Sequence, residues 1–160
     1  MLDKKEVENE KSYLLMSKVS GVMSCDTYYL DHPQILLDAL ATGLKMLWQV
    51  DVSDCPVIRD VDIVLEEARL QIVNGLVDFC LPNVFLEDAQ IKGFIDLGRT
   101  GVGDKWNDIA LCYRSLKHNF DGTYGGKVYD EFNPDVLFEK LDIKPDWEKI
   151  NWYLLLDELF

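Results

Sequence analysis

A leucine repeat with helical spacing constrains the fold of this chain more than any other feature of its sequence. The four leucines recur at steps of four, four and three residues: Leu36, Leu40, Leu44 and Leu47. Side chains with this spacing share one face of an α-helix. Pro33 precedes the repeat and a polar stretch at 51–54 follows it, so the pattern predicts a helix over residues 33–50. A helix with one apolar face must bury it, which requires further elements packed around it.

Two more segments before the middle of the chain have recognisable patterns. Residues 12–24 combine a short apolar run with a glycine and small polar residues, which predicts a strand ending in an irregular connector. Residues 61–73 place apolar side chains on one side of a second helix, which we expect to stop at Asn74 and Gly75. The two predicted helices can pack against each other.

After this second helix, the sequence pattern becomes typical of a β-hairpin. Short apolar runs flank a polar turn at 87–90, which predicts a hairpin over residues 84–95. Asp104 is a suitable N-cap for a helix reaching about Lys117, and a glycine-rich gap at 121–126 follows it. Further helices should begin at Asn133-Pro134 and at Pro145-Asp146. The sequence therefore predicts a mainly α protein with a small β-hairpin, an α+β fold in one domain spanning residues 1–160.

Charge and composition limit the classes of partner. Sixteen basic residues against 29 acidic ones leave a net charge of −13, which argues against nucleic acid or an anionic membrane as partner. A polycationic ligand suits this charge better, although acidity that merely keeps a protein soluble is an equally simple explanation. The first ten residues are too charged for a signal peptide, and the four cysteines form no zinc-binding pattern, so we expect a cytoplasmic protein with reduced thiols.

Polar side chains flank the predicted hairpin. Asn83 directly precedes its first strand and Asp96 follows its second, so antiparallel pairing would bring both to one end. Amide and carboxylate oxygens are hard ligands suited to Mg²⁺. Asp78 lies five residues before Asn83, and this Asp-x4-Asn followed by a second Asp has the order of the protein-kinase motif of base and metal ligands. An ordinary turn accounts for Asp-x4-Asn on its own equally well.

Two long stretches carry a resemblance to a known family. CLPNVFLEDAQIKGFIDLGRTGVGDKWNDIALCYRSL at 80–116 and IKPDWEKINWYLLLDELF at 143–160 are similar to the C-terminal half of aminoglycoside 3'-phosphotransferases. LLMSKVSGV at 14–22 and VDVSDCP at 50–56 resemble the hinge strand of that family and the loop after its first large helix. The motifs FIDLGRTG and DKWNDIA are the most specific part of the match.

The resemblance implies a protein-kinase-like C-terminal lobe that uses ATP and Mg²⁺ to phosphorylate an aminoglycoside hydroxyl, an activity associated with antibiotic resistance. It divides the chain into a hinge strand and connector at 12–24, a helical pair at 33–76, a catalytic hairpin region at 78–98 and C-terminal helices at 104–160. The implied roles cover the base, metal ligands, nucleotide contacts and substrate contacts: Asp78 as base; Asn83 and Asp96 for metal; Ser17 and Val19 for nucleotide; Arg99, Arg114, Glu158 and Phe160 for the aminoglycoside. Arg114 has a second interpretation, as the partner of a surface carboxylate.

The chain also departs from the family pattern. Leu76-Val77 stand where the family has His-Gly, and a helical segment before the catalytic loop has no counterpart here. The resemblance also implies a loop at 117–119, where the acidic residues of the family are replaced by Lys117-His118-Asn119. The family's N-terminal lobe, with its phosphate-binding lysine and covering loop, is likewise not matched, so we expect impaired turnover from this chain alone. A non-catalytic remnant or aminoglycoside-binding module, one part of a split kinase completed by a separate N-lobe, and a homo-oligomer therefore stay open.

Overall fold

A computed structural model describes residues 17–55, 79–96 and 102–158, together with the backbone of 5–8 and 11–14. Its helices are α1 Thr27–Asp31, α2 Pro33–Trp48, α3 Lys105–Phe120, α4 Val136–Leu141 and α5 Trp147–Asp157. Its strands are β1 Lys5–Glu8, β2 Lys11–Leu14, β3 Val22–Met23, β4 Val84–Glu87 and β5 Gln90–Phe94. The predicted helix at 61–73 lies outside the described residues, so the four-part division of the chain stays a prediction.

Helix α2 forms where the leucine repeat predicted it. Leu36, Leu40 and Leu44 have no exposed surface, and Pro33 occupies the first turn, where its missing N–H costs nothing. The helix ends at Trp48, two residues before the predicted end at 50.

Helix α3 begins as predicted, since the Asp104 side chain accepts a hydrogen bond from the Trp106 N–H at 3.0 Å. It continues to Phe120, so the loop expected at 117–119 is wrong. Phe120 is buried and stacks on Phe132 with ring centroids 3.6 Å apart. Burial of this aromatic ring favours a last helical turn, which the polar residues at 117–119 did not suggest.

The strands form two separate antiparallel sheets. β1 pairs with β2, and β4 lies between β3 and β5 in the second sheet. The irregular connector expected within 12–24 corresponds to residues 17–20, between β2 and β3. The strand β1 was not anticipated, because its residues read only as a charged terminus. The predicted mainly α fold with a small hairpin is confirmed, with β3 added to the hairpin.

The core lies between α2, the β4–β5 hairpin, α3 and the two C-terminal helices. Its fully buried side chains include one or more from each of these elements: Leu40, Leu86, Ile109, Leu137 and Ile150. Among the described helices, none combines the length and hydropathy needed to cross a bilayer. Val84 and Leu86 of the hairpin belong to the same core as these helices, so the hairpin packs against them.

Candidate functional site at the open end of the hairpin

The hairpin closes through a tight two-residue turn. Asp88 and Ala89 both have positive φ angles, 52° and 60°, as a type I′ turn requires. Glu87 pairs with Gln90 beside this turn. The opposite end, where β4 begins and β5 finishes, is therefore the open end.

A bulge in β5 sets the register at the open end. Leu86 pairs with Ile91, but Phe85 pairs with Gly93, so Lys92 is an extra residue on β5. Beyond the bulge the Ile95 N–H donates to the Asn83 carbonyl oxygen at 3.0 Å. Asn83 and Asp96 therefore lie at the same end of the hairpin, as predicted. Their role as metal ligands stays a prediction.

Asp96 has an uncommon backbone conformation. Its φ is 58°, in the left-handed region, and it is exposed. Aspartate is among the few residues other than glycine that enter this region repeatedly. Strained backbone of this kind clusters at ligand sites, where the surroundings hold it in place.

Asn83 ends a short 3₁₀ turn, Leu81–Asn83, that is bonded to two distant elements. The Leu81 N–H donates to the Ser115 Oγ of α3 at 3.0 Å. The Ser24 Oγ, just after β3, donates to the Leu81 carbonyl oxygen at 2.8 Å. Sequence reasoning missed both serines, because a lone serine carries no local signal of a distant hydrogen-bond partner.

The predicted nucleotide-binding segment lies along the hairpin. Val19 packs on Gly93, where an added Cβ would sit 2.9 Å from the Val19 Cγ1 atom. Gly21 passes close to β4, because a Cβ there would lie 2.3 Å from the Leu86 carbonyl oxygen. Ser17 is exposed. The contact with Gly93 brings Val19 to the strand that leads to Asp96.

Two of the predicted substrate residues, Arg114 and Glu158, lie near the end of α5. The Arg114 Nη2 atom of α3 lies 2.6 Å from the Asp157 Oδ2 atom, and both side chains are about four-fifths buried, with 21% and 16% exposed. Glu158 follows Asp157 and is exposed. The structure thus pairs Arg114 with a carboxylate, as in the interpretation that gave it a structural ion pair. Its contact with the aminoglycoside stays a prediction. Asp157 was missed, although it stands directly beside Glu158 in the sequence.

Three predicted site residues, Asp78, Arg99 and Phe160, lie outside the described residues. Within the described ranges, no group of three or more His, Cys, Asp or Glu side chains is placed to hold a metal. One amide oxygen and one carboxylate form a donor set that fits Mg²⁺, because this ion keeps several waters and takes one or two protein carboxylates with phosphate oxygens.

Comparison with known proteins gives one family. Residues 61–153 match the model of the phosphotransferase enzyme family. The chain is 34% identical to an aminoglycoside 3'-phosphotransferase of Enterococcus faecalis, an alignment that covers 93% of this chain and 68% of the relative. A Staphylococcus aureus enzyme of the same name is 32% identical with the same coverage.

Both of those alignments run over 188 residues, more than the 160 of this chain. The relatives therefore contain residues without a counterpart here, while the absence of one helical segment before the catalytic loop stays a prediction. Among solved structures, an aminoglycoside phosphotransferase of Streptomyces rimosus in complex with ADP and streptomycin superposes with a TM-score of 0.78 at 22% identity, covering 99% of this chain and 74% of that one. An aminoglycoside-3'-phosphotransferase of type VIII gives a TM-score of 0.75 at 22% identity, covering 99% and 73%. The chain has the fold of these proteins.

Proposed function

This chain belongs to the phosphotransferase enzyme family, and we propose that it acts as an aminoglycoside 3'-phosphotransferase-type kinase that transfers the γ-phosphoryl group of ATP to an aminoglycoside hydroxyl. The observation that carries the proposal is the placement of Asn83 and Asp96 at one end of the hairpin in a member of this family. The names of the two most similar relatives described above support the substrate class.

In the proposed mechanism, Asn83 and Asp96 would hold Mg²⁺, which would supply positive charge to neutralise the phosphates. The segment containing Ser17 and Val19 receives the nucleotide. Val19 packs against Gly93 of β5. Asp78 orients the aminoglycoside hydroxyl and takes its proton as the oxygen bonds to the γ-phosphorus and the bond to ADP breaks.

The C-terminal end of α5 is the proposed site for the aminoglycoside ammonium groups. Asp157 and Glu158 place carboxylates at a helix C-terminus, whose partial charge is also negative, so cations are favoured there. Arg114 neutralises part of this charge and fixes Asp157 through the 2.6 Å contact. We assign Arg99 and the Phe160 carboxylate to the same substrate side by family resemblance.

Transfer of labelled phosphate from ATP to a kanamycin-type aminoglycoside tests the proposal. We expect slower transfer than in a full-length relative, since about a third of each of the two relatives lies outside the alignment and further residues inside it have no counterpart in this chain. Asp78→Ala and Asp96→Asn should abolish it. Asp88→Asn is the matched control, because Asp88 is an exposed aspartate with positive φ at the closed end of the same hairpin.

Equal transfer by the Asp96 and Asp88 variants would contradict the assigned metal site. Binding of the aminoglycoside without any transfer would instead favour the aminoglycoside-binding module.

A further inference from the structure

Two polar side chains stand out because they are buried in an otherwise apolar interior. Ser24 is 0% exposed and Ser115 is 2% exposed. A buried hydroxyl is unfavourable unless it is hydrogen-bonded. Each serine side chain makes a hydrogen bond to the backbone of the same residue, Leu81.

The bonds made by the two serines involve residues on both sides of Asn83 in the sequence, Leu81 and Val84. Ser115 accepts from the Leu81 N–H at 3.0 Å, while Ser24 donates its hydroxyl to the Leu81 carbonyl oxygen at 2.8 Å. The Ser24 N–H also donates to the Val84 carbonyl oxygen at 2.8 Å. Residues on both sides of Asn83 are therefore tied to β3 and α3, elements that are distant in sequence.

A further side chain supports this arrangement from α3. The Asn119 Nδ2 atom donates to the Ser115 carbonyl oxygen at 2.7 Å and lies 3.5 Å from the Ser115 Oγ. A side-chain amide at this position helps to orient the Ser115 hydroxyl toward Leu81. Linked hydrogen bonds of this kind in a low-dielectric interior make one geometry more favourable than its alternatives.

Alanine at 24 and 115 would keep the apolar packing, so packing alone does not call for either hydroxyl. We propose that Ser24 and Ser115 are positioning residues that fix the Leu81–Asn83 turn and thereby the amide oxygen of Asn83. The inference rests on the proposed function for its purpose, because it is the metal site that requires Asn83 to be held in one orientation. The two hydroxyls act through the backbone of Leu81, whereas the bond from the Ser24 N–H to the Val84 carbonyl oxygen would remain in an alanine variant.

Mn²⁺ binding in the presence of ADP, followed by electron paramagnetic resonance, tests the proposal in the full chain. We expect Ser115→Ala and Ser24→Ala each to weaken Mn²⁺ binding by about tenfold, as for other residues that orient a ligand. Ser115→Thr keeps the hydroxyl and should restore binding to within about twofold if orientation is the cause.

Two control variants separate positioning from general loss of stability. Leu137→Val removes a methylene from a fully buried side chain on α4, and Ser53→Ala removes an exposed hydroxyl bonded within its own turn to Asp51. Neither should change Mn²⁺ affinity. Affinity in Ser115→Ala no lower than in Leu137→Val would overturn the proposal.

If the wild-type chain does not bind Mn²⁺, the proposed function fails. The positioning role of the serines can then still be tested by a second measurement. Amide hydrogen exchange at Leu81 and Asn83, resolved by NMR, reports the turn without any metal. We expect both amides to exchange faster in Ser115→Ala than in Leu137→Val. Unchanged exchange at Asn83 would show that the serine does not position this residue.

Discussion

Gly21 occupies a backbone position that no other residue can enter without strain. Its φ is 87°, and an added Cβ would lie 2.3 Å from the Leu86 carbonyl oxygen. Gly125 has a similar φ of 79° but nothing within 4 Å of the corresponding Cβ position. The two glycines therefore share the conformational requirement, and Gly21 alone adds close contact with the hairpin.

We predict that Gly21→Ala lowers the free energy of unfolding by about 3 kcal/mol or more, and Gly125→Ala by about 1 kcal/mol. The larger loss combines the cost of a left-handed alanine with displacement of β4. Urea denaturation of both variants provides the measurement. Equal losses would mean that the approach of Gly21 to Leu86 contributes nothing.

Asp108 in the first turn of α3 couples stability to pH. Burial raises the pKa of its carboxyl group to about 6, and the Asn107 and Trp48 side chains offset this only in part. The Trp48 indole nitrogen is buried and makes no hydrogen bond of normal geometry to the described residues, so we regard its effect on Asp108 as weak. Ionised Asp108 is consequently disfavoured in the folded state.

The direction of the pH effect follows from the raised pKa. The stability contributed by neutral Asp108 is fully present below the ordinary aspartate pKa of about 3.9 and is lost as pH rises through about 6. Asp108→Asn stays neutral, so we predict that it becomes more stable than the wild type by about 2 to 3 kcal/mol between pH 4.5 and 7.5. Denaturation across this range, with Asp88→Asn as an exposed control, measures the difference. A constant difference between wild type and Asp108→Asn would contradict the account.

At the scale of elements, the helices could be predicted because their signals are local. The spacing of Leu36, Leu40 and Leu44, and the cap at Asp104, lie within the elements that they specify. The helix expected at Asn133-Pro134 begins slightly later, at Val136, and the one expected at Pro145-Asp146 begins at Trp147. Helix ends were less predictable, since Phe120 extends α3 through its stacking on Phe132.

The site could be predicted only in part, for a related reason. Hairpin pairing is implied by sequence spacing, so Asn83 and Asp96 could be placed at one end of the hairpin. The bulge at Lys92, the buried bonds of Ser24 and Ser115, and the pairing of Arg114 with Asp157 depend on contacts between elements. No local sequence pattern predicts contacts between distant elements.

Helix α5 offers a test of the aminoglycoside site, because it has an exposed glutamate near each end, Glu148 and Glu158. We predict that Glu158→Gln weakens binding of a kanamycin-type aminoglycoside, by up to about fivefold at low salt, since exposed ion pairs contribute about 0 to 1 kcal/mol. Glu148→Gln should leave the affinity unchanged. Calorimetry at two salt concentrations measures both. Equal losses would indicate nonspecific attraction to an acidic protein.

At the scale of the whole molecule, the net charge of −13 creates a general field for polycations. This field makes weak aminoglycoside binding insufficient as proof of function. The metal site gives a sharper criterion, because Mg²⁺ with nucleotide must engage one end of the hairpin and not the other. The relatives contain residues that have no counterpart in this chain, because the alignments are longer than the chain. Ligand binding and turnover should therefore be tested separately.

The most direct test of the metal site is a titration of the ¹⁵N-labelled chain with Mn²⁺ and ADP, followed by NMR. Paramagnetic broadening falls steeply with distance, and the two ends of the hairpin are separated by roughly 15 Å. We predict that the amides of Asn83, Ile95 and Asp96 lose intensity first, while those of Asp88 and Ala89 persist, and that Asp96→Asn removes the difference. Equal broadening at both ends, or broadening centred on the Asp88–Ala89 turn, would contradict a metal-nucleotide site at the open end of the hairpin.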